Sequence, residues 1–252
     1  MATAPIGTND NGDPIAGLLL KLRRRDTVSD READVLRGAV EGVETHPAGA
    51  VLTRPDERLT QSTLLLDGLA ARYKDLSEGQ RQITELHVPG DFIDLHGYLL
   101  KRIEHHIGAL TAVRIALVPH RNVVRITEQE PHLARLLWLS TLMDAAIQRE
   151  RILSVGRRSA LARIAHLICE LYVRLDVVGQ VDGLNFAFPV TQLDLADATG
   201  LTAVHVNRML RQLRDRKLVT FRNAVVEIHD LDELQRAAEF DPAYLFLQHE
   251  PR

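Results

Sequence analysis

Two short helices with a glycine between them, near the end of the chain, constrain the fold more than any other feature of the sequence. Thr191 can cap the first helix, which runs through Thr199, because its hydroxyl accepts hydrogen bonds from the exposed N–H groups of the first turn. Gly200 ends that helix, since glycine adopts a left-handed backbone at little cost, and Thr202 caps the second helix. An apolar stripe docks the second helix on the first: Val206, Met209, Leu210 and Leu213.

A hairpin and a last helix follow. Residues 218–221 and 224–228 read as strands around a turn at Arg222–Asn223. Asp230 and Glu233 form the pattern of a capping box, which predicts a helix from Leu231 to Phe240. Two capped helices followed by such a hairpin are typical of a winged helix-turn-helix. We assign it to residues 157–232, followed by a C-terminal helix and tail at residues 233–252.

The outer face of the second helix is basic. Five basic residues stand against one acid between Ala203 and Lys217, although the net charge of the chain is −3. A local cationic face suits a protein that touches DNA with one side only. Arg208 can donate two parallel N–H groups to guanine, and Asn207 can address adenine or a phosphate. The predicted DNA-contacting residues are Thr191, Gln192, Thr202, Ala203, Val204, His205, Asn207, Arg208 and Arg211.

The middle of the chain predicts a long helix at residues 131–156. Pro131 can occupy its first turn, and apolar residues then recur at spacings of three and four. A second apolar set, Leu139, Leu142 and Ala146, lies on another side, so the helix must bury two sides. One side would pack on the same chain and the other on a second copy, which makes this a dimerisation helix with a hinge at its end. The predicted interface residues are Leu133, Leu136, Ser140, Met143 and Ile147.

The first half of the chain alternates short β-like runs with turn signals. Runs at 61–66 and 81–88 are bounded by Asp67–Gly68 and Pro89–Asp91. Such a pattern is typical of a small antiparallel barrel or sandwich, which we assign to residues 18–130 after a flexible tail at residues 1–17.

These segments carry a resemblance to a known family. Residues 191–210 resemble the DNA-binding motif of the cyclic-AMP receptor protein and fumarate–nitrate reduction regulator (Crp/Fnr) family. Leu66–Leu69 and Val88–Leu95 are similar to the glycine turn and the start of the ligand cassette in the family's barrel. The likeness covers roughly residues 18–230. It implies an α+β fold: an N-terminal cyclic-nucleotide-binding-like β-barrel (jelly roll), a long dimerisation helix and a C-terminal winged helix-turn-helix.

The same resemblance implies a bacterial transcription regulator. Its partners would be double-stranded DNA, a second copy of the chain and RNA polymerase, together with an unidentified small-molecule effector. The two recognition helices of the homodimer would enter successive major grooves of a near-palindromic site, about 34–36 Å apart. The chain has no signal-peptide pattern and no apolar run of membrane-spanning length, so we expect it in the cytoplasm.

The ligand cassette departs from the cyclic-nucleotide pattern of the family. Where such members hold the ribose with a glutamate, this chain has His96 or Leu95, and residues 104–107 replace their phosphate-binding Arg-Ser pair. Gln148 and Arg149 replace the adenine-contacting hydroxyl pair. Cyclic AMP in the usual pose is therefore not expected. The candidates for an effector pocket are Gly90, Asp91, Ile93, His96, His105 and His106.

Two further departures concern the cofactor and the DNA site. The oxygen-sensing branch needs a cluster of cysteines, whereas this chain has only Cys169, so an iron–sulfur cluster is not expected and the cofactor stays unknown. Many members contact cytosine with a glutamate at the position held here by Val204, which can touch only a thymine methyl group. The preferred DNA site should differ at that base pair.

Three alternatives remain open. A haem- or metal-sensing regulator of the same fold could use the histidines of the first half, although no HExxH or CxxC spacing orders them. A cupin-type barrel enzyme with an accessory DNA module would need two histidines and a carboxylate, and the strand with His87 has no second histidine two residues away. A protein-binding adaptor would show only a weak dependence of its DNA affinity on salt concentration.

We predict a regulator without enzymatic activity and without catalytic or metal-ligating residues. The histidines considered as ligands are His87, His96, His105, His106 and His120.

Overall fold

Two helices precede the sheets in the computed structural model, which describes residues 12–252. Helix α1 spans Ala16–Arg25 and α2 spans Asp30–Arg37. Ser29 and Glu32 form a reciprocal capping box that starts α2. Of the predicted tail at residues 1–17, the first 11 residues lie outside the described residues. Its last residues belong to the fold, because Ile15 is buried and α1 begins one residue later.

Two antiparallel sheets form the first half. One has the order β1-β7-β3, from strands β1 Gly42–His46, β7 Val113–Pro119 and β3 Gln61–Asp67. The other has the order β2-β6-β4-β5, from strands β2 Val51–Thr53, β6 His106–Ala109, β4 Ala70–Asp75 and β5 Arg81–His87. Helix α3, Gly97–Leu100, lies between β5 and β6, and α4, His120–Gln129, follows β7. Buried apolar side chains fill the space between the sheets: Leu65, Ile93, Ile107 and Ile115.

The second half is built on two long helices, α5 at Pro131–Arg157 and α6 at Ala160–Val177. The elements after them are β8 Val181–Asp182, β9 Asn185–Ala187, α7 Gln192–Thr199, α8 Ala203–Asp215, β10 Val219–Arg222, β11 Val225–Ile228, α9 Leu231–Ala238 and a 3-10 turn at Pro242–Leu245. The four strands form one antiparallel sheet, β10-β11-β9-β8. The α+β fold predicted from the sequence is confirmed.

Several boundaries differ by one or two residues from the prediction, and two of these differences have a clear cause in the backbone. Arg222 pairs with Val225, so the hairpin turn is Asn223–Ala224, with φ values of 51° and 62°. Positive φ at both central residues is typical of a type I′ turn, whose twist matches that of the flanking strands. Helix α9 ends at Ala238 rather than Phe240, because Glu239 adopts a left-handed φ of 50°.

Helix α5 corrects the predicted dimer interface. Leu133 and Leu136 are buried against α1, α2 and α4 of the same chain, and Ile147 is buried against α6 and its neighbours. Met143 lines a small internal cavity, and the Ser140 hydroxyl donates to the carbonyl of Leu136. Leu133, Leu136 and Ile147 are thus covered within the chain and are not available to a partner, whereas Ser140 and Met143 are half-buried. Within residues 12–252, no helix combines the length and hydropathy needed to cross a membrane.

Candidate nucleic-acid interface

Local capping positions the two short helices of the winged module. The Thr191 hydroxyl accepts a hydrogen bond from the Asp194 N–H (3.1 Å), and the Asp194 carboxylate accepts one from the Thr191 N–H (2.8 Å). The Thr191 cap agrees with the prediction, whereas the reciprocal role of Asp194 was not predicted, although the T-x-x-D spacing signals it. Gly200 follows at φ 65°, and Thr202 caps α8 by accepting from the His205 N–H (3.3 Å).

Helix α8 has one buried and one exposed face. Val206, Met209 and Leu213 are buried in the module, whereas Leu210 is only partly covered. All nine predicted DNA-contacting residues are exposed. Val204 is 78% exposed in the first turn, where an apolar side chain has no packing role in the chain itself.

The exposed face carries positive charge that the chain does not neutralise. No ion pair involves Arg208 or Arg211, or the further cations Arg214, Arg216 and Lys217, in the part of the chain that the structure describes. Such a face attracts a polyanion. Asn207 Nδ2 lies 3.4 Å from Gln192 Oε1, which brings the outward sides of α7 and α8 together.

The wing adds residues that the sequence reasoning did not name. Arg222, Asn223 and Ala224 are exposed at the tip of the β10–β11 hairpin. A cation at the tip of a hairpin next to a basic helix is the signal that was available for Arg222.

A cleft of about 810 Å³ lies between α5 and the strands β4 and β5. His96 and His105 line it, and they are the only two of the six predicted effector-pocket residues that do so. The lining also includes residues that the sequence reasoning did not assign: Arg72, Lys74, Gln82, Thr84, Glu104, Asp144 and Arg151. These come from several elements distant in sequence, so no local motif brings them together.

The other four effector-pocket candidates lie elsewhere. Gly90, at φ 85°, packs so closely on α1 that a Cβ would stand 2.5 Å from a backbone carbon of that helix. Asp91 is ion-paired with Lys21 and Arg174, and Ile93 is buried in the core between the sheets. His106 stacks on Tyr73 with ring centroids 5.0 Å apart.

The two cleft histidines are held neutral. Burial, reinforced by nearby Arg72, lowers the pKa of His96 to about 3 and also lowers the pKa of His105. Their ring centroids lie 5.3 Å apart, and His105 Nδ1 lies 3.3 Å from Glu104 Oε1. The Nε2 atoms of both rings are buried and have no hydrogen-bond partner among residues 12–252. Two neutral imidazoles with unused nitrogens can therefore hydrogen-bond a small polar ligand.

The arginine at the back of the cleft is already neutralised. Arg72 donates to Glu85 (2.7 Å), Asp144 (2.8 Å) and the carbonyl of Ile93 (2.9 Å). Burial raises the pKa of both carboxyls, which share this one guanidinium. Three of its five N–H groups are thus engaged and two carboxyl groups flank it, so Arg72 could present a paired edge to a phosphate only by breaking these bonds.

The described residues give no support to a metal centre. Between residues 12 and 252, no group of three or more histidine, cysteine, aspartate or glutamate side chains is arranged to hold a metal ion. His87 is fully buried within β5, and His120 packs edge-on against Tyr98. Cys169 is completely buried in α6, and burial raises the pKa of its thiol to about 12.

Comparisons with known proteins agree with this geometry. The family model described as the Crp-like helix-turn-helix domain matches residues 162–237, and that of the cyclic nucleotide-binding domain matches residues 43–130. Together they cover more than half of the chain.

Curated relatives and solved structures match the same regions. The nitrogen fixation regulation protein FixK of Rhizobium meliloti is 29% identical over 162 residues, which cover 62% of this chain and 68% of that protein. The anaerobic regulatory protein of Haemophilus influenzae is 22% identical over 208 residues, 82% of this chain and 80% of that protein. The solved structure of FixK2 from Bradyrhizobium japonicum superposes with a TM-score of 0.71 at 23% identity, over 78% of this chain and 96% of that one.

Proposed function

This chain belongs to the Crp/Fnr family of DNA-binding transcription regulators, and we propose that it acts as a homodimer whose two α8 helices read a near-palindromic DNA site. The family and the regulatory function predicted from the sequence are confirmed. The named relatives are regulators, which supports the prediction that the protein is not an enzyme. RNA polymerase is the further partner that we expect, and the cytoplasm is the expected compartment.

The observation that carries the DNA-reading proposal is the exposed face of α8, whose cations Arg208, Arg211 and Arg214 form no ion pair with the described residues. Arg208 is the residue best suited to reading a guanine, through two parallel N–H donors worth about 1–3 kcal/mol against a wrong base. Val204 is placed to touch a thymine methyl group, and the threonines that cap α7 and α8 lie where phosphates would pass. Arg222 at the tip of the wing extends this phosphate-binding surface.

A second face of α5 supports the homodimer. Trp138, Leu142, Ile152 and Leu153 are 67%, 51%, 72% and 47% exposed, whereas Leu133, Leu136 and Ile147 of the stripe predicted from the sequence are buried. The positions 138, 142, 145, 149 and 152 follow the spacing of three and four of a coiled-coil seam. A symmetric pairing of two α5 helices along this face would bury these side chains and place both α8 helices on one side of the dimer.

The cleft between α5 and the barrel is the proposed effector site. Because Arg72 is already paired and His96 and His105 are neutral, the site suits a ligand other than cyclic AMP in its usual pose. A ligand acts there only insofar as it binds two orientations of the winged module with different affinity.

Selection of DNA from a randomised duplex pool tests the proposed function. The parent protein should enrich a two-fold repeat, and the logarithm of its affinity should fall steeply with the logarithm of salt concentration. Arg208→Ala should lower affinity for the selected site about 10-fold or more while non-specific binding persists. Arg214→Ala removes an equal charge from the last turn of α8 and serves as the control. An unchanged site preference in Arg208→Ala would remove Arg208 as a base reader, and failure to enrich any sequence would overturn the proposed function.

A further inference from the structure

The segment after α9, residues 239–252, crosses back to the beginning of the chain, and we call it the strap. It starts at Glu239, beside the end of α5, where the Arg158 guanidinium donates to the Glu239 carbonyl (3.2 Å). Its far part lies on α1: the Glu250 N–H donates to the carbonyl of Arg25 (2.9 Å), and the Arg252 N–H donates to the Asp26 carboxylate (2.8 Å). The strap thus contacts both the winged module and the sensor half.

The centre of the strap is packed like a core element. Leu245 is 1% exposed, and its carbonyl accepts a hydrogen bond from the Arg25 guanidinium (3.0 Å). The rings of Phe240 and Tyr244 lie 5.1 and 5.9 Å from the ring of His166 on α6. A surface segment without a structural role would not bury side chains to this extent.

One carboxylate fastens the strap to α6. The Tyr244 hydroxyl donates to Glu170 Oε2 (2.9 Å), while Oε1 of the same carboxylate accepts from Arg174 (3.1 Å) and Arg151 (3.2 Å). Burial opposes ionisation of Glu170, but Arg151 and Arg174 hold its pKa below the ordinary value. The Tyr244 hydrogen bond is therefore made to a charged acceptor, which is the stronger kind.

Arg151 connects this fastening to the cleft. Its side chain lines the cleft on one side and donates to Glu170 on the other. Arg174 reaches in a second direction, to Asp91, which is itself paired with Lys21 of α1. Glu170 therefore lies where the cleft, the first helix and the strap meet.

We propose that the strap is a latch that holds the winged module in one orientation against the sensor half, and that Arg151 makes its closure depend on the occupant of the cleft. An anionic group bound beside Arg151 would compete with Glu170 for the guanidinium, weaken the Tyr244 hydrogen bond and loosen the module. The inference rests on the proposed function, because the orientation matters only if the module binds DNA.

Hydrogen exchange in the chain of 252 residues tests the latch. Tyr244→Phe should speed exchange of the strap amides about 10- to 100-fold, as expected for loss of a hydrogen bond to a charged group. It should also speed exchange of the backbone amides of α7 and β5. These elements dock on each other through a hydrogen bond from Gln82 Nε2 to the Asp197 carbonyl (2.7 Å). Tyr172→Phe is the control, because its hydroxyl bonds only the Gly183 carbonyl outside the strap (3.4 Å).

Two results would overturn the latch. If the strap amides of Tyr244→Phe exchange at the parent rate, the hydrogen bond to Glu170 does not fasten the strap. Faster strap exchange with unchanged exchange at the α7 contact would show that the strap does not hold the module. In either case DNA selection by the parent would still stand, so failure of the latch is distinct from failure of the proposed function.

The link to the cleft has its own test. Arg151→Met should speed strap exchange, whereas Arg125→Met, which removes an equal charge from the exposed side of α4, should not. Slow amide exchange in β4 shows that the Arg151→Met variant is folded. If that variant does not fold, Arg151→Lys is used in its place, and faster strap exchange is again expected. Parent-like strap exchange in the folded Arg151 variant would refute the link.

Discussion

The exposed face of α5 yields the most discriminating prediction, through Ile152→Ser. Ile152 is 72% exposed in the single chain. Burying a whole isoleucine side chain stabilises by about 1.5–3 kcal/mol, so its exposed part would contribute about 1–2 kcal/mol per chain to a dimer. A symmetric interface uses the residue twice, which gives about 2–4 kcal/mol. The dimer dissociation constant of Ile152→Ser should therefore rise about 30- to 1000-fold.

Sedimentation equilibrium over a range of protein concentrations measures this constant, and urea denaturation measures the folding of the monomer. The monomer should keep its stability to within about 0.5 kcal/mol, because an exposed side chain is replaced. Leu193→Ser, at another exposed leucine on α7, is the control and should leave the dimer intact.

Leu136→Ser separates this face from the stripe predicted by sequence. Leu136 is buried within the chain, so its truncation should cost about 2–5 kcal/mol of folding free energy. A folded monomer from Leu136→Ser together with an unaffected dimer in Ile152→Ser would refute the assignment of the two faces.

Three further predictions concern single residues. Val204→Glu should change the preferred base at its contact from thymine to cytosine in a pool selection, because a carboxylate accepts from the cytosine amine; an unchanged base would contradict this contact. Burial lowers the pKa of His87 from 6.5 to about 3, so the unfolded chain gains a proton between these values that the folded chain does not. Stability is then lost as pH falls through this window, by up to about 5 kcal/mol, and urea denaturation of His87→Leu should show a flatter pH dependence; an equal slope would count against the assignment. Gly90→Ala should cost at least about 2 kcal/mol in urea denaturation, more than Gly79→Ala, which shares the positive φ but has open space at Cβ; equal losses would mean that the contact with α1 is unimportant.

The winged module could be predicted from the sequence because the residues that determine its helix boundaries act locally. Thr191, Gly200 and Thr202 each determine a helix boundary through contacts within four residues. The hairpin turn moved by one residue because Ala224 adopts a positive φ, which an alanine does not signal.

The faces of α5 could not be assigned because periodicity shows that a residue is apolar, not what covers it. Leu133 and Leu136 are covered by α1 and α2, which lie almost wholly in the stretch that was predicted from the sequence to belong to the barrel. The cleft was only partly predicted for a related reason. Arg72 and Arg151 lie 79 positions apart in the numbering, and only the fold brings them to one surface.

The buried position of Cys169 has a consequence for how the protein meets oxidants. A thiol with a pKa of about 12 is almost wholly protonated at neutral pH, and thiolates are the reactive form. In the folded state the only cysteine of the chain is therefore shielded both from peroxide and from alkylating reagents. Any modification of this thiol would report that α6 has opened, which makes it a built-in probe of local unfolding.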